Sequence, residues 1–131
     1  MKTTLFLLFS ILLLTLADAR GCLPEGINFT TQEQIDNFQT DYPGCTEIEG
    51  DVLIHGQDIS NLEGLNMLSA IGGDLFIYIT GSQLSIYGLM NLASIGGDLI
   101  VQNNSLKKLS GLDNLVSVGG NVLIGSKTID S

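Results

Sequence analysis

Basic residues are scarce in this sequence. Five Lys plus Arg stand against 14 Asp plus Glu, a formal net charge of −9. Such a chain has no basic footprint for phosphate, which argues against nucleic-acid binding. The same sign opposes contact with anionic lipid. Histidine occurs once, at His55. A Ser-His-Asp or Cys-His arrangement would crowd every role onto it. Cysteine occurs twice, at Cys22 and Cys45, too few for a zinc site. There is no Gly-x-x-x-x-Gly-Lys-Ser/Thr loop. No metal or other cofactor is expected, and no enzymatic activity. The apolar run at residues 5–16 has 12 residues, short of the ~20 that span a bilayer. Charged residues are only 15% of the chain, well below the usual share of about 25%.

What is present is apolar and glycine-rich: 44% hydrophobic residues and 16 Gly in 131. That apolar content excludes a disordered acidic tail, and the length allows one domain at most. Lys2, the apolar stretch 5–16 and the small residues Ala17 and Ala19 form a secretory signal, with cleavage expected after Ala19. Residues 1–19 are therefore an address, and no membrane insertion is expected after cleavage. Export favours a Cys22–Cys45 disulfide, with about 3 kcal/mol of stabilisation in the chain-entropy account. Two free thiols are one alternative. Lipidation of Cys22 is another, although Arg20 fits a lipobox poorly.

Residues 20–46 differ from the rest. Thr30 with Glu33 has the spacing of a capping box. Ile35, Phe38 and Tyr42 share one helical face, and Tyr42-Pro43-Gly44 ends it. One short helix, about 31–41, is expected here as an N-terminal cap clipped by the disulfide.

Residues 47–131 repeat. Ile71-Gly72-Gly73-Asp74-Leu75-Phe76-Ile77 recurs as Ile95-Gly96-Gly97-Asp98-Leu99-Ile100-Val101, and again as Val118-Gly119-Gly120-Asn121-Val122-Leu123-Ile124. A first copy is Ile48-Glu49-Gly50-Asp51-Val52-Leu53-Ile54, so the anchors are 51, 74, 98 and 121. Ahead of the later anchors lie Leu62, Leu65, Leu68 and Ile71, then Ile86, Leu89, Leu92 and Ile95, then Leu109, Leu112, Leu115 and Val118. A period in the twenties with Leu at fixed offsets indicates a solenoid. Alternate apolar residues after each anchor make a short strand. The Gly pair supplies a tight turn or a positive φ, and steps of three suit a 3₁₀-like return path. Parallel strands of successive turns would share one continuous core. The second turn has one extra residue, with Leu84 a position late, so a bulge is expected there. The last turn has only its strand, Val122 to Ile124, and nothing resembling a cap follows; a longer, C-terminally truncated array is the expectation.

Leu99-x-Val101-x-x-Asn104-x-Leu106 has the leucine-rich-repeat segment L-x-L-x-x-N-x-L. The fuller pattern L-x-G-L-x-x-L-x-x-I-G-G-D-L-x-I resembles the receptor L-domain type of repeat, of the secreted and surface kind found in Bacteroidota-like bacteria. That resemblance implies a mainly β fold: a short, right-handed, β-helix-like solenoid of parallel strands.

Asp51, Asp74 and Asp98 hold equivalent places and should stack about 5 Å apart. They could bind Ca²⁺, or each could accept hydrogen bonds from its own Gly-Gly turn, as Asn121 also can. The second reading is the simpler. The outward strand positions are Leu53, Phe76, Ile100 and Leu123, with His55, Tyr78 and Gln102 on the same face. An exposed apolar stripe of this kind marks a binding surface. The expected function is a secreted or cell-surface, non-enzymatic binding or adhesion module that recognises a protein or glycan. The alternatives are a structural spacer in a longer surface protein and a β-helical polysaccharide-active enzyme; the latter lacks an acidic pair on the strand face. Asn28-Phe29-Thr30 and Asn103-Asn104-Ser105 are sequons that matter only in a eukaryotic host.

Overall fold

The computed structural model describes residues 21–79, 84–103 and 109–125. The signal segment, the bulge expected in the second repeat, Leu106, the second sequon beyond Asn103 and the tail after Gly125 lie outside these residues. The fold is mainly β, built on two five-stranded parallel sheets. The narrow sheet runs β1 (Gly21–Cys22), β3 (Glu47–Ile48), β5 (Ala70–Ile71), β7 (Ser94–Ile95) and β9 (Ser117–Val118). The wide sheet runs β2 (Ile27–Phe29), β4 (Val52–Ile54), β6 (Leu75–Ile79), β8 (Leu99–Asn103) and β10 (Val122–Gly125). Each repeat thus contributes two strands, not the single one its sequence suggests. The extra strand is two residues long, too short to show alternation.

The apolar core lies between the sheets. In the first repeat Val52, Ile54, Ile59, Leu62, Leu65, Leu68 and Ile71 are all essentially fully buried. The steps of three pass through 3₁₀ turns at Glu63–Leu65 and Tyr87–Leu89. Gly64 and Gly88 sit in these turns because of close approach. A Cβ on Gly88 would meet the carbonyl of Leu62, and one on Gly64 would meet that of Ile35. Residue Ile35, in a helix, thus stands toward the first repeat as Leu62 stands toward the second.

That helix is not the single one expected over 31–41. It is two: α1 (Gln32–Asp36) and α2 (Phe38–Asp41). Asn37 ends α1 with φ −91° and ψ 4°, its N–H shared between the carbonyls of Glu33 and Ile35. The capping box is also displaced by one residue. Thr31 caps, its hydroxyl accepting from the Gln34 N–H, and Gln34 reaches back to Thr31 and Thr30. Gln can fill the reciprocal position as well as Glu, so the sequence holds two overlapping candidates. Ile35 and Phe38 are buried, whereas Tyr42 is 37% exposed and packs its ring on Phe38 at 5.4 Å. Gln32 ties α1 to the first repeat, its amide oxygen accepting from Ser60 N–H at 2.9 Å and Asn61 N–H at 3.2 Å. The Cys22–Cys45 disulfide is present, with Cα atoms 5.7 Å apart. No helix among the described residues is long and apolar enough to cross a membrane.

Burial fades in the last repeat. Leu112 and Leu115 are only half-buried, and Val122 and Ile124 are 55% and 38% exposed. Their counterparts Leu99 and Val101 are buried. Leu89→Ala is expected to cost roughly 2–5 kcal/mol, as for other fully buried leucines, and Leu112→Ala clearly less. Urea denaturation of the two variants tests this; equal costs would contradict the burial gradient.

Candidate functional site

Each repeat passes from the narrow to the wide sheet through a corner that reads Gly-Gly-Asp in the second and third repeats, Glu-Gly-Asp in the first and Gly-Gly-Asn in the last, and the backbone bonding there explains these residues. Gly73 N–H donates back to the Gly50 carbonyl at 3.2 Å. The Asp51 carbonyl faces the other way and accepts from Ile27 N–H at 2.9 Å. The next donor, Asp74 N–H, therefore meets no backbone carbonyl in the preceding repeat. The Asp51 side chain fills that place, with Oδ1 accepting from Asp74 N–H at 2.7 Å. Asp74 does the same for Asp98 N–H and Asp98 for Asn121 N–H, each at 2.7 Å. The carboxylates thus serve the following repeat, not their own Gly-Gly turn as expected.

The glycines follow from the same corner. None of the three pairs has a positive φ, contrary to one of the sequence expectations. Close approach is the cause. A Cβ on Gly97 would collide with the Asp74 carboxylate, and one on Gly120 with that of Asp98. A Cβ on Gly96 would collide with the Gly72 carbonyl.

The aspartates start a patterned surface on the wide sheet. Two residues after each anchor lie Leu53, Phe76, Ile100 and Leu123. Register sets Leu53 beside Phe76, Phe76 beside Ile100, and Ile100 beside Leu123. Asn28 extends the row at the β2 end. Leu53, Phe76 and Ile100 are half-buried and Leu123 is 54% exposed. The flanking core residues of β4, β6 and β8 are buried, so outward and inward sets separate cleanly along these strands. Tyr78, 51% exposed, pairs with Gln102 in register. His55 differs: it falls one residue past β4, half-buried, with its N–H donated to the Phe29 carbonyl at 2.9 Å. The shorter β4 leaves it outside the paired strand region. Cys22 and Cys45 stand apart from this face, in the disulfide beside the narrow sheet.

A shallow groove of about 380 Å³ runs across the outer side of the narrow sheet. Ala70, Ser94 and Ser117 form its floor, with Glu47 and Glu49 at one end. Sequence reasoning missed it because the second strand of each repeat was missed. The residue before each Ile-Gly or Val-Gly pair was the available signal. Among the described residues, no three His, Cys, Asp or Glu side chains come together in a metal-binding group.

A family model for the receptor L domain matches residues 44–129. Neither the curated proteins nor the solved structures give a match.

Asp74→Ala leaves the partly buried Asp98 N–H without its acceptor and should cost about 1–3 kcal/mol. Gly97→Ala should also destabilise, by collision with the Asp74 carboxylate. Because Asp74→Ala removes that obstacle, the double variant is expected to cost less than the sum of the singles. Chemical denaturation of the four proteins tests this, and strict additivity would deny the contact.

Proposed function

The chain belongs to the receptor L domain family, and from that premise we propose that it is a secreted or cell-surface module that binds a protein or glycan through the outer face of its wide sheet. The family is a ligand-binding, non-catalytic one, which accords with a non-enzymatic role. In this reading the leucine-rich repeats form a short solenoid, residues 20–46 cap it, and residues 1–19 direct export.

One observation carries the choice of face. Leu53, Phe76, Ile100 and Leu123 stand side by side on four successive strands, half-buried or exposed. Nothing in the core requires an apolar residue there, since Leu75, Ile77, Leu99 and Val101 already fill the inward positions. Contiguous apolar surface of this kind is a mark of interaction sites. Tyr78 adds an amphipathic ring at its edge, a residue type enriched at interfaces.

The double variant Phe76→Asp/Ile100→Asp tests the reading. Circular dichroism should stay that of the parent, because both side chains point outward. Binding on a glycan array and to a panel of purified extracellular proteins should be lost. Unchanged binding by a folded variant would move the site elsewhere, and no binding by the parent to any probe would favour a spacer. Loss of the β signal would reverse the inward and outward assignments.

A further inference from the structure

The wide-sheet face is not uniformly apolar. One side of its ribbon is bordered by Asp51, Asp74 and Asp98, each two residues ahead of Leu53, Phe76 and Ile100. Their Oδ1 atoms are held by the next repeat's backbone, so the three carboxylates stand in a fixed row. At the parallel-strand spacing the row is about 10 Å long, and the five-strand ribbon about 19 Å. A carboxylate offers about four acceptor positions, and one bond to Oδ1 leaves capacity for a donor from outside. Asp51 is exposed, and Asp74 and Asp98 are half-buried.

The described residues contain no Lys or Arg at all. All five basic residues, Lys2, Arg20, Lys107, Lys108 and Lys127, lie outside them. Among the described residues, then, no Lys or Arg side chain pairs with this row.

Resting on the proposed binding role of this face, we infer that its ligand is a basic, amphipathic polypeptide segment. Its apolar side chains lie on Leu53, Phe76 and Ile100, and its Lys or Arg side chains lie along Asp51, Asp74 and Asp98. The chemistry is complementary on both counts: apolar surface meets apolar ribbon, and cations meet a row of preset anions. Long Lys and Arg stems suit the boundary, since they cover apolar surface while carrying charge to its edge. The excess negative charge of the chain would also speed encounter with such a partner.

The test is isothermal titration calorimetry with two synthetic peptides, an alternating Leu/Lys peptide and its Leu/Gln counterpart. The Leu/Lys peptide is expected to bind about tenfold more tightly, the sum of three exposed ion pairs of a few tenths of a kcal/mol or more each. The preference should shrink as salt is raised. Asp51→Asn/Asp74→Asn/Asp98→Asn, which keeps an acceptor oxygen for the corner, should abolish the preference. The charge-matched variant Glu25→Gln/Glu47→Gln/Glu63→Gln should retain it. Equal binding of both peptides, or equal loss in both triple variants, overturns the inference. Phe76→Ser/Ile100→Ser separates this inference from the reading beneath it. Glycan-array binding that this variant loses, with neither peptide bound by the parent, overturns the peptide inference and leaves the face as the site. Leu/Lys binding that this variant does not weaken overturns the face as well.

Discussion

At the three later corners between the sheets, one backbone N–H faces a repeat that has no backbone carbonyl to offer it. The rest of the stack depends on how that donor is satisfied. A buried or half-buried N–H without a partner costs free energy comparable to a lost hydrogen bond. Here that cost falls on the partly buried Asp98 N–H, while the equivalent bonds to Asp74 and Asn121 N–H are more exposed. The aspartate carboxylate of the preceding repeat replaces the missing carbonyl. A charged acceptor makes a stronger bond than a neutral one, and it keeps the hydrogen-bond ladder unbroken from narrow to wide sheet.

Meeting that donor fixes the neighbouring residues. For Oδ1 to reach the next N–H, the two corners must approach until no side chain fits between them. This is why glycine precedes the anchors Asp74, Asp98 and Asn121. The first repeat confirms the cause by its exception. Its corner reads Glu49-Gly50. Glu49 has Gly21 beside it, and a Cβ added there would meet the Glu49 carboxylate. Gly50 is retained because the backbone of Gly26 lies against it. Side chains return where the preceding chain leaves room, and glycine persists where it does not.

Much of this was legible in the residues. Anchors at 51, 74, 98 and 121 fixed the register that the wide sheet adopts, and the Leu-x-x-Leu steps mark buried positions through Leu92 and Ile95. The donor of each Asp hydrogen bond was not legible, because it lies 23 or 24 residues away. A local rule for Asp in turns favours a nearby N–H instead. The narrow sheet escaped notice for a different reason: Ser94-Ile95 or Ala70-Ile71 is too short for a period to emerge. At the N-terminal end, Thr30 with Glu33 and Thr31 with Gln34 are equally good pairings on paper. Only the contacts of Gln32 and Gln34 decide between them. Of the candidate site, the row of Leu53, Phe76, Ile100 and Leu123 was readable from the period. His55 lies one residue past the end of β4.

The two roles of the aspartates are compatible because the corner uses only part of each carboxylate. Oδ1 is committed to the backbone, which fixes the side chain and removes the entropy that a free surface Asp would lose on binding. The charge stays at the edge of the wide sheet, beside a ribbon that the core does not need. Inward positions are constrained by packing on both sides, so their Leu, Ile and Val are explained by stability alone. Outward positions are less constrained: Leu53, Phe76 and Ile100 are only half-buried, and their cross-strand pairing contributes a smaller share of the stability. The repeated apolar choice at that offset is thus the part of the pattern that core packing explains least. The ladder that holds the repeats together also sets that apolar ribbon and its acidic border in register.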